Sequence, residues 1–177
     1  MNLFFLLRII MLFAQHSNRS LAVVENERTL AIVKPDGIFG NHTASIRNII
    51  LQSGFTIQTQ TTLLQLDQDT VATFYADHST KTFFPSLIKY MTRYGPVLIM
   101  VLEKVNAIAD WRTLIGPTDA RNAKITHPNS IRAMCGEDLE RNCVHGSDSH
   151  HSAAREISFF FPHIFPEGTM TLKHDEL

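Results

Sequence analysis

The chain has 177 residues, 16 of them Lys or Arg and 17 Asp or Glu, for a formal net charge of −1 with the nine histidines neutral. That length allows one domain with a sizeable core and is short for two. Near-neutrality excludes a nucleic-acid-coating surface or a polybasic membrane patch, so any anion site must be built locally; the histidines are scattered without Cys/His zinc spacing, which argues against a structural metal.

In chain order, residues 1–22 (MNLFFLLRIIMLFAQHSNRSLA) come first. They contain no acid, carry an apolar run from Leu3 to Ala14 broken only by Arg8, and end in Ser20-Leu21-Ala22. This predicts a removable signal peptide, too short and interrupted for a membrane span. A mitochondrial presequence is the rival, since Arg8, Ser17, Arg19 and Ser20 without acids also fit a transit peptide.

RTLAIVKP (28–35) then predicts an apolar strand stopped by Pro35-Asp36-Gly37, and TASIRNIILQSG (43–54) a helix ending at glycine. FTIQTQTTLLQL (55–66) alternates like a half-buried strand, Asp67 caps the next helix, and another helix runs from Thr80 to Thr92. GPVLIMVLEK (95–104) reads as a central strand, and NAIADWRTLIG (106–116) as a helix with Asn106 as its cap and Gly116 as its stop. Residues 117–130 read as an irregular polar stretch, RNCV (141–144) as a last short strand and SHHSAAREISFFF (149–161) as a last helix. Strands alternating with helices predict a compact α/β or α+β sandwich.

The chain closes on KHDEL (173–177), and a terminal His-Asp-Glu-Leu is a receptor-read address for return to the endoplasmic reticulum. Together with the leader it favours the endoplasmic reticulum lumen over the mitochondrion. Asn18-Arg19-Ser20 and Asn41-His42-Thr43 are glycosylation acceptors by sequence, the first of which would be lost with the leader. Cys135 and Cys143 could pair in an oxidising compartment or stand as two buried thiols.

For chemistry, the G-x-x-x-x-G-K-[ST] loop and the G-x-G-x-x-G turn are both absent. What remains are single cations at element boundaries (Lys34, Arg112 and Arg132) and one histidine, His145, inside a glycine-serine-aspartate turn, with Glu156 eleven residues further on. On residue type alone each cation is a solvated surface charge and such a histidine is inert. Tyr75 and Phe84 on helical stretches are ordinary core aromatics by the same measure.

ERTLAIVKPDG, FFPSLIKYMTRYGPVLIMVLE, IGPT, SIR and above all RN-x-x-HGSDS (141–149) resemble the nucleoside diphosphate kinase family, in order and without a gap over residues 27–162. The resemblance implies one domain there, followed by a tail at 163–177, with a ferredoxin-like fold: a four-stranded antiparallel sheet covered by helices. It implies transfer of a γ-phosphoryl group from a nucleoside triphosphate, ATP for example, to a nucleoside diphosphate through a phosphohistidine, with Mg2+ carried on the nucleotide phosphates and no metal ligand in the protein. Residue by residue it makes His145 the nucleophile through Nδ1 and Glu156 the acid holding the other ring nitrogen. Ser147 becomes the hydroxyl near Glu156, and Tyr75 the hydroxyl beside the histidine. Lys34, Arg112, Thr118 and Arg132 become the phosphate contacts, Asn142 with Lys34 the ribose contacts, and Phe84 and Leu139 the two faces of a slot for any base.

The chain also departs from the common pattern. DARNAKITHPNS lengthens the stretch between Thr118 and Arg132, and Ala133 stands where a glycine usually follows the arginine. These features resemble a divergent group of the family and remove the loop and tail pattern that builds hexamers, predicting a monomer or dimer. The expected activity is nucleoside diphosphate kinase. The alternative is a weakly active or inactive member acting as a nucleotide-binding or scaffold protein.

Overall fold

The computed structural model describes residues 25–164, so the leader, the Asn18 acceptor and the HDEL tail lie outside the described residues. Within them the order is β1 Glu27–Val33, α1 Pro35–Phe39, α2 Thr43–Gln52, β2 Thr56–Gln60, α3 Gln68–Phe74, α4 Phe84–Arg93, β3 Leu98–Lys104, α5 Ala107–Ile115, α6 Ala120–Thr126, α7 Ile131–Cys135, β4 Val144–Gly146 and α8 His150–Phe160. The sheet order is β2-β3-β1-β4, and every neighbouring pair is antiparallel. This is the ferredoxin-like arrangement.

Both faces of the sheet are covered, so β1 and β3 are apolar without alternating in polarity. On one face Ala31, Val33, Leu98, Met100 and Leu102 pack with Ile46 and Ile50 of α2 and Trp111 and Ile115 of α5. On the other, Leu30, Ile32, Ile99 and Val101 pack with Val71, Phe74 and Tyr75, with Leu87, Tyr90 and Met91 of α4, and with Ile157 of α8. The period-2 side-chain alternation of each strand thus feeds two cores.

Several boundaries differ from the sequence reading. The strand expected over 55–66 ends at Gln60 after a shift in register; Thr61 still bonds Ile99 of β3, and the chain meets the sheet again at the single bridge Leu64–Val97. The helix expected from Thr80 starts at Phe84, where Pro85 sits in the first turn and needs no amide partner. Asn106 caps no backbone amide: it adopts a left-handed φ of 59° and its side chain donates to Asp110 Oδ1 at 3.0 Å. The stretch 117–130, expected to be irregular, contains α6, because Asp119 accepts from Arg121 N and Ala120 and Ala123 are small enough to bury. The last strand is Val144–Gly146, not 141–144: Asn142 and Cys143 turn aside, Cys143 with φ 70°. Asp67 does cap α3, accepting from Thr70 N at 2.7 Å. Cys135 and Cys143 form a disulfide, with 5.7 Å between their Cα atoms.

Candidate active site

His145 is the middle residue of β4, paired in register with Ile32 of β1. Its Nε2 lies 2.8 Å from Glu156 Oε2, and Ser147 Oγ donates to the same carboxylate oxygen at 2.8 Å. Ser147 Oγ in turn accepts from Leu30 N at 3.1 Å, so the carboxylate on α8 is tied to the central strand. A carboxylate can only accept, so Nε2 carries the ring proton and Nδ1 keeps its lone pair. The imidazole is 18% exposed. Its backbone carbonyl accepts from Trp111 Nε1 at 3.2 Å, and Phe74 and Tyr75 meet the ring edge-on at 5.4 and 6.1 Å between centroids.

The Tyr75 hydroxyl is buried beside this ring without a hydrogen-bond partner. Burial, and then the Glu156 charge, push it well above the usual phenol range, so it stays a neutral donor. An unmet buried hydroxyl costs about 1–3 kcal/mol unless something arrives to pair with it.

A second group converges next to it. Lys34, at the end of β1, donates to Asn142 Oδ1 at 2.7 Å and to Glu140 O at 3.2 Å. Asn142 donates to Thr118 O and Leu139 O, both at 2.9 Å. Arg132 on α7 donates to Gly116 O at 2.8 Å and Val144 O at 3.1 Å, leaving its buried Nε unpaired. Burial, and then the Arg132 charge, bring the Lys34 ammonium down to about 8. Burial, and then exposed Arg112 on α5, bring Arg132 down to about 10. Like charges gathered out of water oppose one another, and a bound anion is what would relieve them.

The structure thus gathers His145, Glu156, Ser147 and Tyr75 in one network, and Lys34, Asn142, Arg132 and the Thr118 carbonyl in another, with Arg112 close enough to be felt. Leu139 joins the second only through its backbone carbonyl, and Phe84 stands outside both. Phe84 is half-buried against the α3/α4 core while Leu139 is 53% exposed on the loop before β4. Their segments face each other, since Ser86 Oγ donates to Glu140 Oε1 at 3.1 Å.

Sequence reasoning missed the supports. Asp36 accepts from Tyr90 OH and, through Oδ2, from Cys143 N at 2.8 Å; it was visible only as a turn residue after Lys34. Trp111 and Phe74 were not singled out in the sequence; both are buried core residues that also touch His145. Two cavities among the described residues, of about 480 Å3 beside Phe55 and His127 and about 320 Å3 beside Arg28 and His150, do not include His145. The unpaired Tyr75 hydroxyl and Arg132 Nε, with the crowded cations, mark the site more directly than concavity does.

The family described as nucleoside diphosphate kinase matches residues 27–164. The chain belongs to the nucleoside diphosphate kinase family. An Arabidopsis thaliana relative described as "Probable nucleoside diphosphate kinase 5" is 56% identical over 146 residues, covering 82% of this chain and all of that one. Vertebrate relatives named nucleoside diphosphate kinase homolog 5 are longer, and this chain spans 61–65% of their length. The Aquifex aeolicus nucleoside diphosphate kinase superposes with a TM-score of 0.76 at 39% identity, over 79% of this chain and 98% of that one. The Halobacterium salinarum kinase, solved in complex with CDP, gives 0.71 at 34% identity over 77% and 88%. In this kinase family the sheet and helices described above are the shared frame.

Proposed function

We propose that the chain is an active nucleoside diphosphate kinase of a divergent group, working by a ping-pong route through a phosphohistidine at His145. The observation that carries this is the His145–Glu156–Ser147 chain, which leaves Nδ1 as the free nucleophile on a ring anchored at Nε2. In the first half-reaction Nδ1 attacks the γ-phosphorus of a nucleoside triphosphate. The bond to the bridging oxygen breaks and its electron pair leaves with the diphosphate. In the second, a terminal β-phosphate oxygen of another nucleoside diphosphate attacks the same phosphorus, and the N–P electron pair returns to the ring.

Glu156 stabilises the positive charge that the ring acquires when phosphorylated, and Ser147 keeps Glu156 aimed. Lys34, Arg112 and Arg132, with Thr118, neutralise the phosphates, and the Tyr75 hydroxyl gains a phosphate or ring partner for its unmet donor. Asn142 and Lys34 reach the ribose hydroxyls, and Phe84 and Leu139 sandwich the base through its face. Among the described residues no three His, Cys, Asp or Glu side chains gather as a metal cage; the cationic set suits the nucleotide's phosphates, and Mg2+ would arrive bound to them. Bound there, the ion supplies further neutralisation of the β- and γ-phosphates.

Incubation with γ-labelled ATP tests this: one acid-labile, alkali-stable phosphate per chain is expected on wild type and none on His145→Asn. Correctly folded wild type that takes no label would favour the nucleotide-binding scaffold.

We place the protein in the endoplasmic reticulum lumen. Paired Cys135 and Cys143 suit an oxidising compartment, as do the leader and HDEL motifs. Asn41 is an exposed acceptor in a turn with φ 57°, so expression through the secretory pathway should give a mass shift that glycosidase removes and Asn41→Gln abolishes. Deleting the last four residues should send the protein to the medium; a cytosolic or mitochondrial signal independent of the tail would overturn the placement. Light scattering should give a monomer or dimer, and a hexameric mass would refute that.

A further inference from the structure

We infer that the Cys135–Cys143 disulfide is a positioning element of the nucleotide clamp, setting substrate affinity while leaving the phosphoryl-transfer centre alone. The inference rests on the reading of Lys34, Asn142 and Arg132 as nucleotide contacts. Cys135 is the last residue of α7, one turn beyond Arg132, and Cys143 directly follows Asn142. The disulfide therefore joins the two arms of the clamp and closes the loop that carries Leu139, Glu140 and Asn142.

Almost every contact holding Lys34 ends on that loop. Its Nζ donates to Glu140 O and Asn142 Oδ1, and its backbone amide donates to Cys143 O at 2.8 Å. Cys143 itself sits at φ 70°, a left-handed conformation that a side chain with a Cβ disfavours unless neighbours impose it. Besides the bond from Lys34 N, three ties hold it here: the sulfur bond, the hydrogen bond from Cys143 N to Asp36 Oδ2, and the tight turn closed across it from Val144 N to Asn142 O at 2.8 Å. The packing is close as well, since a Cβ on Gly37 would lie 2.9 Å from Cys143 Sγ. His145 adjoins this arrangement through Val144, whose carbonyl accepts from Arg132, and has anchors of its own. It is held by pairing with Ile32, by Glu156 and by Trp111 Nε1.

Cutting the disulfide should thus loosen the half that holds substrate and spare the half that performs transfer. A dithiol reagent does so by giving two electrons and two protons, closing to a cyclic disulfide as both cysteines become thiols. Lost preorganisation should raise KM for both nucleotides, and the Kd for ADP by calorimetry, roughly fivefold to tenfold, with kcat falling by a smaller factor because Lys34 and Arg132 also neutralise the phosphates during transfer. Amide exchange at Lys34 and Cys143 should speed up with it, and reoxidation should reverse all three. Cys135→Ala should behave as the reduced protein does. Adding Cys143→Gly should recover part of the affinity, because glycine takes the left-handed φ without cost, a rescue that generic destabilisation would not show.

Equal Kd and exchange in oxidised and reduced protein would overturn the inference, as would parallel loss of kcat and of nucleotide affinity. Oxidised protein that binds but is indifferent to reduction overturns this inference alone. Oxidised protein that binds no nucleotide overturns the proposed function, and this inference with it.

Discussion

β4 and β2 are the two edges of one sheet, and they are put to opposite uses. β2 is five residues long with outward Thr56, Gln58 and Gln60 exposed and Ile57 and Thr59 half-buried, the pattern of a solvated edge. β4 is three residues long, yet Val144 and Gly146 are buried and His145 between them is held from three sides. Gly146 lets Trp111 come close, for a Cβ there would lie 2.5 Å from the indole. A short edge strand buttressed by helices can hold one side chain in fixed geometry, whereas a longer exposed one offers only a ladder. Precision at the edge comes from what covers it.

The sharpest break in that comparison is His145→Asn. It should lower nucleotide phosphotransfer by roughly four orders of magnitude or more while leaving thermal unfolding near that of wild type; a coupled assay beside a melting curve reads both. Glu156→Gln keeps shape and loses charge, so kcat should fall about 10-fold to 100-fold. Ser147→Ala strips Leu30 N and Glu156 of a partner, which should cost about 1–3 kcal/mol in urea unfolding as well. Undiminished kcat in both would mean that the ring needs no orienting.

The pH dependence is smaller and has two signs. Lys34 titrates near 8 in the folded chain, below its ordinary value of 10.5. Nucleotide affinity should therefore weaken as pH rises through about 8 and the ammonium is lost. Folding stability should move the other way, rising between about 8 and 10.5, where the unfolded chain still binds the proton that the folded chain has released. Lys34→Arg should flatten the affinity profile, since a guanidinium stays charged; calorimetric titration across pH decides. Smallest of all, Gln58→Lys on the exposed edge should change stability by less than about 0.5 kcal/mol and leave kcat unchanged; a large effect would show that the β2 edge is not solvated.

Much of this was legible in the chain because strong local signals matched the final structure. The apolar β1 and β3 runs, the Asp67 cap and the glycine stop at Gly116 each gave a boundary that packing left in place. α6 was not legible, since its polar residues face water and only Ala120 and Ala123 mark its buried side. The displaced β4 was not legible either, because Asn142 and Cys143 are pulled off the strand by partners distant in sequence, Lys34 and Asp36. Within the candidate site, motif spacing named the groups and could not supply their convergence. That Tyr75 is unpaired, or that Asp36 braces Cys143, depends on long-range contacts with no local pattern.

The bond from Leu30 N to Ser147 Oγ joins residues 117 positions apart, which has a bearing on how the chain acquires its site. During synthesis β1 emerges early and can find β3 while β4 and α8 are still unmade. Pairing across so long an intervening stretch is slow, because loop closure must precede the contacts that reward it. Lys34 and His145 therefore meet only when β4, made late, pairs with β1, and Glu156 reaches the ring only once the final helix docks.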